Sequence, residues 1–183
     1  MKRSRVQIDP LPLHEAKLIT LRAFGDDRGY FKEAYAAPRY REAGIEDVFL
    51  QDNVSFSVRN VLRGLHGDRS MSKLVQVIWG EAFDVIADIR EGSPTRGRWY
   101  GTVLQAGEHR QLYVPSGFLH GFLALSDEVV FLYKQSSVYN PQTEFGVAWD
   151  DPDLAIDWPL AGISPILSPK DRANPRLADL ALP

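Results

Sequence analysis

The sequence predicts an all-β chain, an antiparallel jelly roll with short helices at its edges. Three observations carry that prediction. Short β-rich runs punctuated by turn residues follow one another at roughly ten-residue spacing, the rhythm of a sandwich or barrel. Within residues 82–89 the side chains alternate, with Phe83, Val85, Ala87 and Ile89 on one face and Asp84 and Asp88 on the other. Helix signals are sparse and lie outside the strand-rich middle. No linker, repeat or low-complexity segment divides the 183 residues, so one domain, 1–183, is expected.

Taken in order, Asp26-Asp27-Arg28-Gly29 reads as a turn entering a strand around Tyr30 and Phe31. Residues 38–43 suit a short helix ended by Gly44, whose missing Cβ permits a left-handed cap. Gln51, Asn53 and Ser55 then alternate on one strand face, a stripe that either meets solvent or lines a polar pocket. Strands follow over residues 73–79, 82–89, 99–104, 110–114, 118–125 and 129–134, stopped in turn by signals such as Gly80, Gly92-Ser93-Pro94, Gly107 and Pro115. On the strand at 82–89 one face is expected to meet a core and the aspartate face something wetter. Ser168-Pro169 opens a last helix, with serine as N-cap and proline at the first helical position, and Pro175 keeps it brief.

The bulk numbers exclude several function classes. Apolar content of 44% and charged content of 25% are ordinary for a soluble domain. A formal charge of −3 argues against a nucleic-acid-binding face. No apolar run reaches membrane-spanning length, and the N-terminus lacks the apolar core of a signal peptide, so a cytoplasmic location is the default expectation. The absence of cysteine excludes disulfides, thiolate catalysis and Cys-ligated metals. No Walker loop, G-x-G-x-x-G, nucleophile elbow or kinase signature is present. No cofactor is therefore expected.

The chemistry concentrates in Val61-Leu62-Arg63-Gly64-Leu65-His66-Gly67-Asp68 and the Lys73 that follows. A guanidinium, an imidazole and an ammonium stand close together in a region that otherwise reads as buried strand. Buried charges need partners, so such a strand points to a cavity, an anionic substrate and proton transfer. Arg63 and Lys73 share strand parity and His66 does not, but Gly64 and Gly67 permit a bulge. His120 is a second strand histidine; without a His-x-His pair, a metal centre is not expected. Tyr133 reads either as packing or as an acid facing a histidine across a substrate. Asp171, in the first turn of the last helix, either complements the helix dipole or fixes a histidine tautomer.

These residues sit in ordered motifs: DDRGYFKE (26–33), QDNVSFS (51–57), VLRGLH (61–66), KLVQVIWGEAFDVIADIREGSPT (73–95), RQLYVPSGFLHGF (110–122), FLYK (131–134), WDDPDLAIDWPL (149–160) and PILSPKDR (165–172). Over residues 18–175 the chain resembles the nucleotide-sugar 3,5-epimerases typified by dTDP-4-dehydrorhamnose 3,5-epimerase. That resemblance implies a cupin-type jelly roll, no metal, no cofactor, and a homodimer that lends residues across its interface. It also implies a nucleoside-diphosphate 4-keto-6-deoxy sugar as substrate, dTDP-linked first of all. His66 would be the base, Asp171 its partner, Tyr133 the acid and Lys73 the group beside the enolate oxygen. Arg28, Glu33, Gln51, Asn53, Arg63, His120, Tyr139 and Arg172 match substrate-binding positions.

One stretch departs from the family pattern. After R-G-L-H the family continues with an aromatic residue and glutamine, whereas here Gly67-Asp68-Arg69-Ser70-Met71-Ser72 leads to the lysine. The R-G-L-H-G-D form resembles relatives acting on other nucleotide sugars. Epimerisation at C3 or C5 alone therefore stands beside the double reaction, followed by 3,4-ketoisomerisation and non-catalytic sugar binding.

Overall fold

Alternation along the chain sets up two faces per strand, and in the computed structural model, which describes residues 6–180, both faces of most strands find cover. A six-stranded sheet has the order β1 (Gln7–Pro10), β2 (Lys17–Thr20), β10 (Arg110–Val114), β7 (Lys73–Trp79), β12 (Glu128–Gln135), β5 (Gln51–Val58). A five-stranded sheet has the order β13 (Glu144–Gly146), β6 (Leu62–Asp68), β11 (Phe118–Ala124), β8 (Glu81–Asp88), β9 (Trp99–Gln105). The strand pairs within both sheets are antiparallel. A separate hairpin joins β3 (Ala23–Asp26) to β4 (Gly29–Lys32) through the turn expected at Asp27-Arg28. The antiparallel jelly roll expected from the sequence is the architecture observed.

The main core lies between the sheets. Val75 and Val77 of β7, Leu112 and Val114 of β10 and Phe131 of β12 meet Ile86 of β8, Leu104 of β9 and Phe118 and Phe122 of β11. Phe122 and Phe131 stack with ring centroids 4.4 Å apart, joining the layers near the site described below. A second cluster covers the outer face of the five-stranded sheet, where Leu62, Leu65, Val85, Leu119 and Leu123 meet Val147, Leu154 and Trp158 of the C-terminal chain. A third buries Ile19, Leu74 and Tyr113 on the outer face of the larger sheet, under Tyr40 of α1 (Ala37–Glu42) and Ile45.

The wetter face expected for Asp84 and Asp88 is corrected. Both aspartates are fully buried, and Ala82 and Ile86 on the same face belong to the core between the sheets. Each carboxylate is tolerated because neighbours bind it: His120 bonds Asp84, while Arg90, Ser93 and Thr95 bond Asp88. The expected helices form as α1 and as α2 (Pro169–Arg172), where the Ser168 hydroxyl caps the Asp171 N–H. No helix among the described residues is long and apolar enough to cross a membrane.

Candidate active site

His66 and Arg63 reach one face because β6 carries a bulge. On β11, His120 pairs His66 and Phe122 pairs Arg63, so two steps on one strand span three on the other. Leu62 and Leu65 both bury in the outer cluster, which confirms that the alternation slips by one between them. Gly64 makes the slip possible. It has φ 116°, and a Cβ there would meet the His120 carbonyl oxygen at 2.7 Å and Gly121 Cα at 2.8 Å. Arg63 then crosses to β5 of the other sheet, donating from Nε to the Ser57 hydroxyl at 3.0 Å and from a terminal nitrogen to the Phe56 carbonyl at 2.9 Å.

His66 Nε2 lies 2.6 Å from Asp171 Oδ1, and the pair is 105 residues apart in sequence. Asp171 is 4% exposed and also accepts from the Ser168 hydroxyl at 2.8 Å through its other oxygen. Both sequence readings of Asp171 therefore hold together, since its N–H is capped by Ser168 while its carboxylate holds His66. Burial alone would raise this carboxyl, but His66, Ser168 and the Gly64 N–H together override it and hold it below the usual carboxylate range. An ionised Asp171 accepts the hydrogen on Nε2, which leaves Nδ1 as the nitrogen able to take a proton.

A second histidine–aspartate pair lies on the neighbouring strands. His120 Nε2 is 2.9 Å from Asp84 Oδ2, with the two side chains 4% and 0% exposed. Burial pushes Asp84 up, opposed by the contact with His120 and by the charge of Lys73. Among the described residues its other oxygen, Oδ1, has no hydrogen-bond partner. Lys73, at the start of β7, has its ammonium pKa lowered by burial, against the pull of Glu144, Asp68 and Asp84. Among the described residues it forms no ion pair. A half-buried ammonium free of any direct carboxylate is ready to meet an anionic oxygen.

Tyr133 comes from the opposite sheet. Its hydroxyl is 3.1 Å from Ser55 Oγ, its ring packs edge-on to His120 with centroids 6.2 Å apart, and burial pushes its phenol well above the usual range. The alternating stripe on β5 lines this interior, not the solvent. Gln51 donates to Asn53 at 2.9 Å, Asn53 to Gln135 at 3.1 Å, and the Tyr139 N–H to Gln51 at 2.9 Å. At the rim, the Tyr139 hydroxyl donates to Glu144, which also pairs with Lys170.

The structure thus gathers His66, Asp171, Lys73, His120, Tyr133, Arg63, Gln51, Asn53 and Tyr139. It leaves three expected residues apart. Arg28, at the tip of the β3–β4 hairpin, pairs with its neighbour Asp26, and Glu33 pairs with Arg39. Arg172 is exposed, and Lys170, two positions earlier, is the α2 cation that joins the rim. Sequence reasoning did not assign Asp84, Ser57, Ser168, Glu144 or Lys170 to the site. An aspartate inside an apolar alternating strand was a readable signal for Asp84, and the N-cap for Ser168. Glu144 and Lys170 carried none. Among the described residues no three His, Asp or Glu side chains gather to hold a metal.

Comparison with known proteins agrees on one family. The profile described as dTDP-4-dehydrorhamnose 3,5-epimerase matches residues 10–179. The chain is similar to the dTDP-4-dehydrorhamnose 3,5-epimerase of Pseudomonas aeruginosa, at 46% identity over 98% of this chain and 97% of the other. Among solved structures it is similar to dTDP-6-deoxy-D-glucose-3,5-epimerase from Legionella pneumophila in complex with dTDP-4-keto-L-rhamnose, with TM-score 0.93 and 46% identity over 97% of this chain and 95% of that one. It is also similar to a 3'-monoepimerase from Streptomyces bikiniensis in complex with dTDP-quinovose, with TM-score 0.87 and 35% identity over 92% and 87% of the two chains.

Proposed function

The chain belongs to the dTDP-4-dehydrorhamnose 3,5-epimerase family, and from that premise we propose that it inverts C3 and C5 of a dTDP-linked 4-keto-6-deoxy sugar. We read residues 1–183 as one epimerase domain, because both sheets contribute to one site. The observation that carries the mechanism is that His66 on one sheet pairs with Asp171 of α2 at 2.6 Å while Tyr133 projects from the other sheet. A sugar ring between the sheets meets a base on one side and an acid on the other.

The 4-keto group acidifies the hydrogens on its neighbouring carbons, C3 and C5. His66 removes one of them, Asp171 stabilises the imidazolium that forms, and the bonding pair moves into an enolate. Lys73 stands by the enolate oxygen, where a placed cation contributes about 10²–10³-fold. Tyr133 returns a proton from the opposite face, which inverts the centre. Acid and base groups of this kind contribute about 10²–10⁴-fold each. Carbonyl, enolate and side chains complete the cycle without a cofactor. Arg63, His120, Gln51, Asn53 and Tyr139 bind the sugar, diphosphate and nucleoside, with Lys170 at the rim.

Arg28 and Glu33 stand apart from the site of their own chain, so we read them as serving a second copy in a homodimer. Exposed apolar side chains support that association. Val54, Phe56 and Val58, 63%, 54% and 48% exposed, alternate along the edge strand β5, and Phe31 on the hairpin is 72% exposed.

The test is deuterium uptake from heavy water into dTDP-4-keto-6-deoxyglucose, resolved by position. Uptake with inversion at both C3 and C5 is expected. The likeness to a 3'-monoepimerase favours one second reading, inversion at C3 alone, which the same spectrum would reveal. No uptake at either carbon would sink the epimerase reading.

A further inference from the structure

The stripe on β5 holds one hydroxyl that the reaction above does not use. Ser55 Oγ lies 3.1 Å from the Tyr133 phenol oxygen. Its neighbour on the same face, Ser57, already accepts from Arg63 Nε at 3.0 Å. Neither Ser55 nor Tyr133 has another side-chain hydrogen bond among the described residues. The two hydroxyls therefore share two hydrogens between them, and the ligand decides how these point.

The ring of Tyr133 is held by packing, with Phe131 at 4.9 Å and His120 at 6.2 Å between centroids. Packing fixes the ring and leaves the hydroxyl hydrogen free to turn. If that hydrogen points at Ser55, it is turned away from the substrate. If Ser55 donates instead, the phenol keeps its own hydrogen for the enolate carbon. During transfer the Tyr133 O–H bond breaks, the enolate electron pair forms the new C–H bond, and the phenol oxygen keeps the O–H pair as phenoxide. A water molecule later returns the proton. Burial opposes a phenoxide here, and a hydrogen bond to a charged acceptor is about twice as strong as a neutral one.

Resting on the reading of Tyr133 as the acid, we propose that Ser55 is its positioning residue. It donates to the phenol oxygen, aims the phenol hydrogen at the enolate and stabilises the phenoxide left behind. Ser55 does not touch the reacting carbons. Its effect falls on reprotonation by Tyr133 and spares deprotonation by His66, which lies on the other sheet and is held by Asp171 of α2.

That asymmetry supplies the test. In heavy water, deprotonation followed by return of a deuteron from the His66 side labels the sugar with retention, whereas delivery from Tyr133 labels it with inversion. Ser55→Ala is expected to slow inversion about 10- to 100-fold, the scale of a lost hydrogen bond to a charged group. Labelling with retention is expected to fall far less, so the ratio of retained to inverted label rises. Ser55→Thr, which keeps the hydroxyl, restores the wild-type ratio. Equal losses of retention and inversion in Ser55→Ala would indicate a purely structural role and overturn the proposal, as would an unchanged ratio. A wild-type protein that takes up no label would overturn the epimerase reading and this proposal together. A normally active wild type with an indifferent Ser55→Ala overturns this proposal alone.

Discussion

Lys73 shows at the scale of one residue how function and stability part. Its ammonium is desolvated without a direct carboxylate partner, so the folded state bears a cost that Glu144, Asp68 and Asp84 offset only in part and that an anionic ligand relieves further. Lys73→Met keeps the length of the side chain and removes the charge. The variant is expected to lose about 10²–10³-fold in kcat, the scale of a removed oxyanion partner, while becoming more stable by about 1 kcal/mol. Turnover and urea unfolding of the same preparation check both halves. A variant that loses stability would mean that the ammonium is better paired than its surroundings indicate. Asp171 behaves oppositely, because the same carboxylate that holds His66 also closes the turn capped by Ser168.

At the scale of elements, β6 and β8 carry the arrangement. The glycine-permitted slip in β6 turns Arg63 and His66 to the same side, and a strict period of two would have separated them. Strand β8 ends on Asp88, a fully buried carboxylate held by Arg90, Ser93 and Thr95. Burial alone would raise its pKa, but these donors override it and bring it from 3.8 down to about 2. A depressed carboxyl contributes stability that is complete above its unfolded value and lost as pH falls through its folded one. The relevant window therefore runs from about pH 4 down to about pH 2, and the contribution is about 2 kcal/mol. Asp88→Asn is expected to lower stability near neutral pH by that amount and to flatten the acid limb of urea midpoints across this window. Parallel acid limbs in parent and variant would place the acid sensitivity on other carboxylates.

At the scale of the whole molecule, the outer face of β5 is the surface that a second copy would cover. Long exposed apolar edges are otherwise an aggregation hazard, which sheets usually blunt with charge. Phe56→Glu places a carboxylate between the exposed Val54 and Val58. Sedimentation equilibrium is expected to find a dimer for the parent and a monomer for the variant, with circular dichroism unchanged. A monomeric parent would remove the dimer reading, together with the role given to Arg28 and Glu33 in a partner's site.

Much of this is legible in the sequence. The strand rhythm, the Ser168 cap, the turn at Arg28 and the residue types suited to proton transfer are local properties, set within a few neighbours by sterics and hydrogen bonding. The burial of Asp84 and Asp88 was not legible, because alternation reports two faces and not what covers each of them. Nor was the choice of Lys170 over Arg172 at the rim, since both flank Asp171 and only the position of Glu144 separates them. The sequence by itself determined an all-β chain carrying a base, an acid and a cation in recognisable order. Only the tertiary structure decided that Asp171 meets His66 across 105 residues and that Ser55 meets Tyr133 across 78. Such meetings depend on sheet order, register and one bulge, which arise from packing of the whole chain and leave no local trace in it.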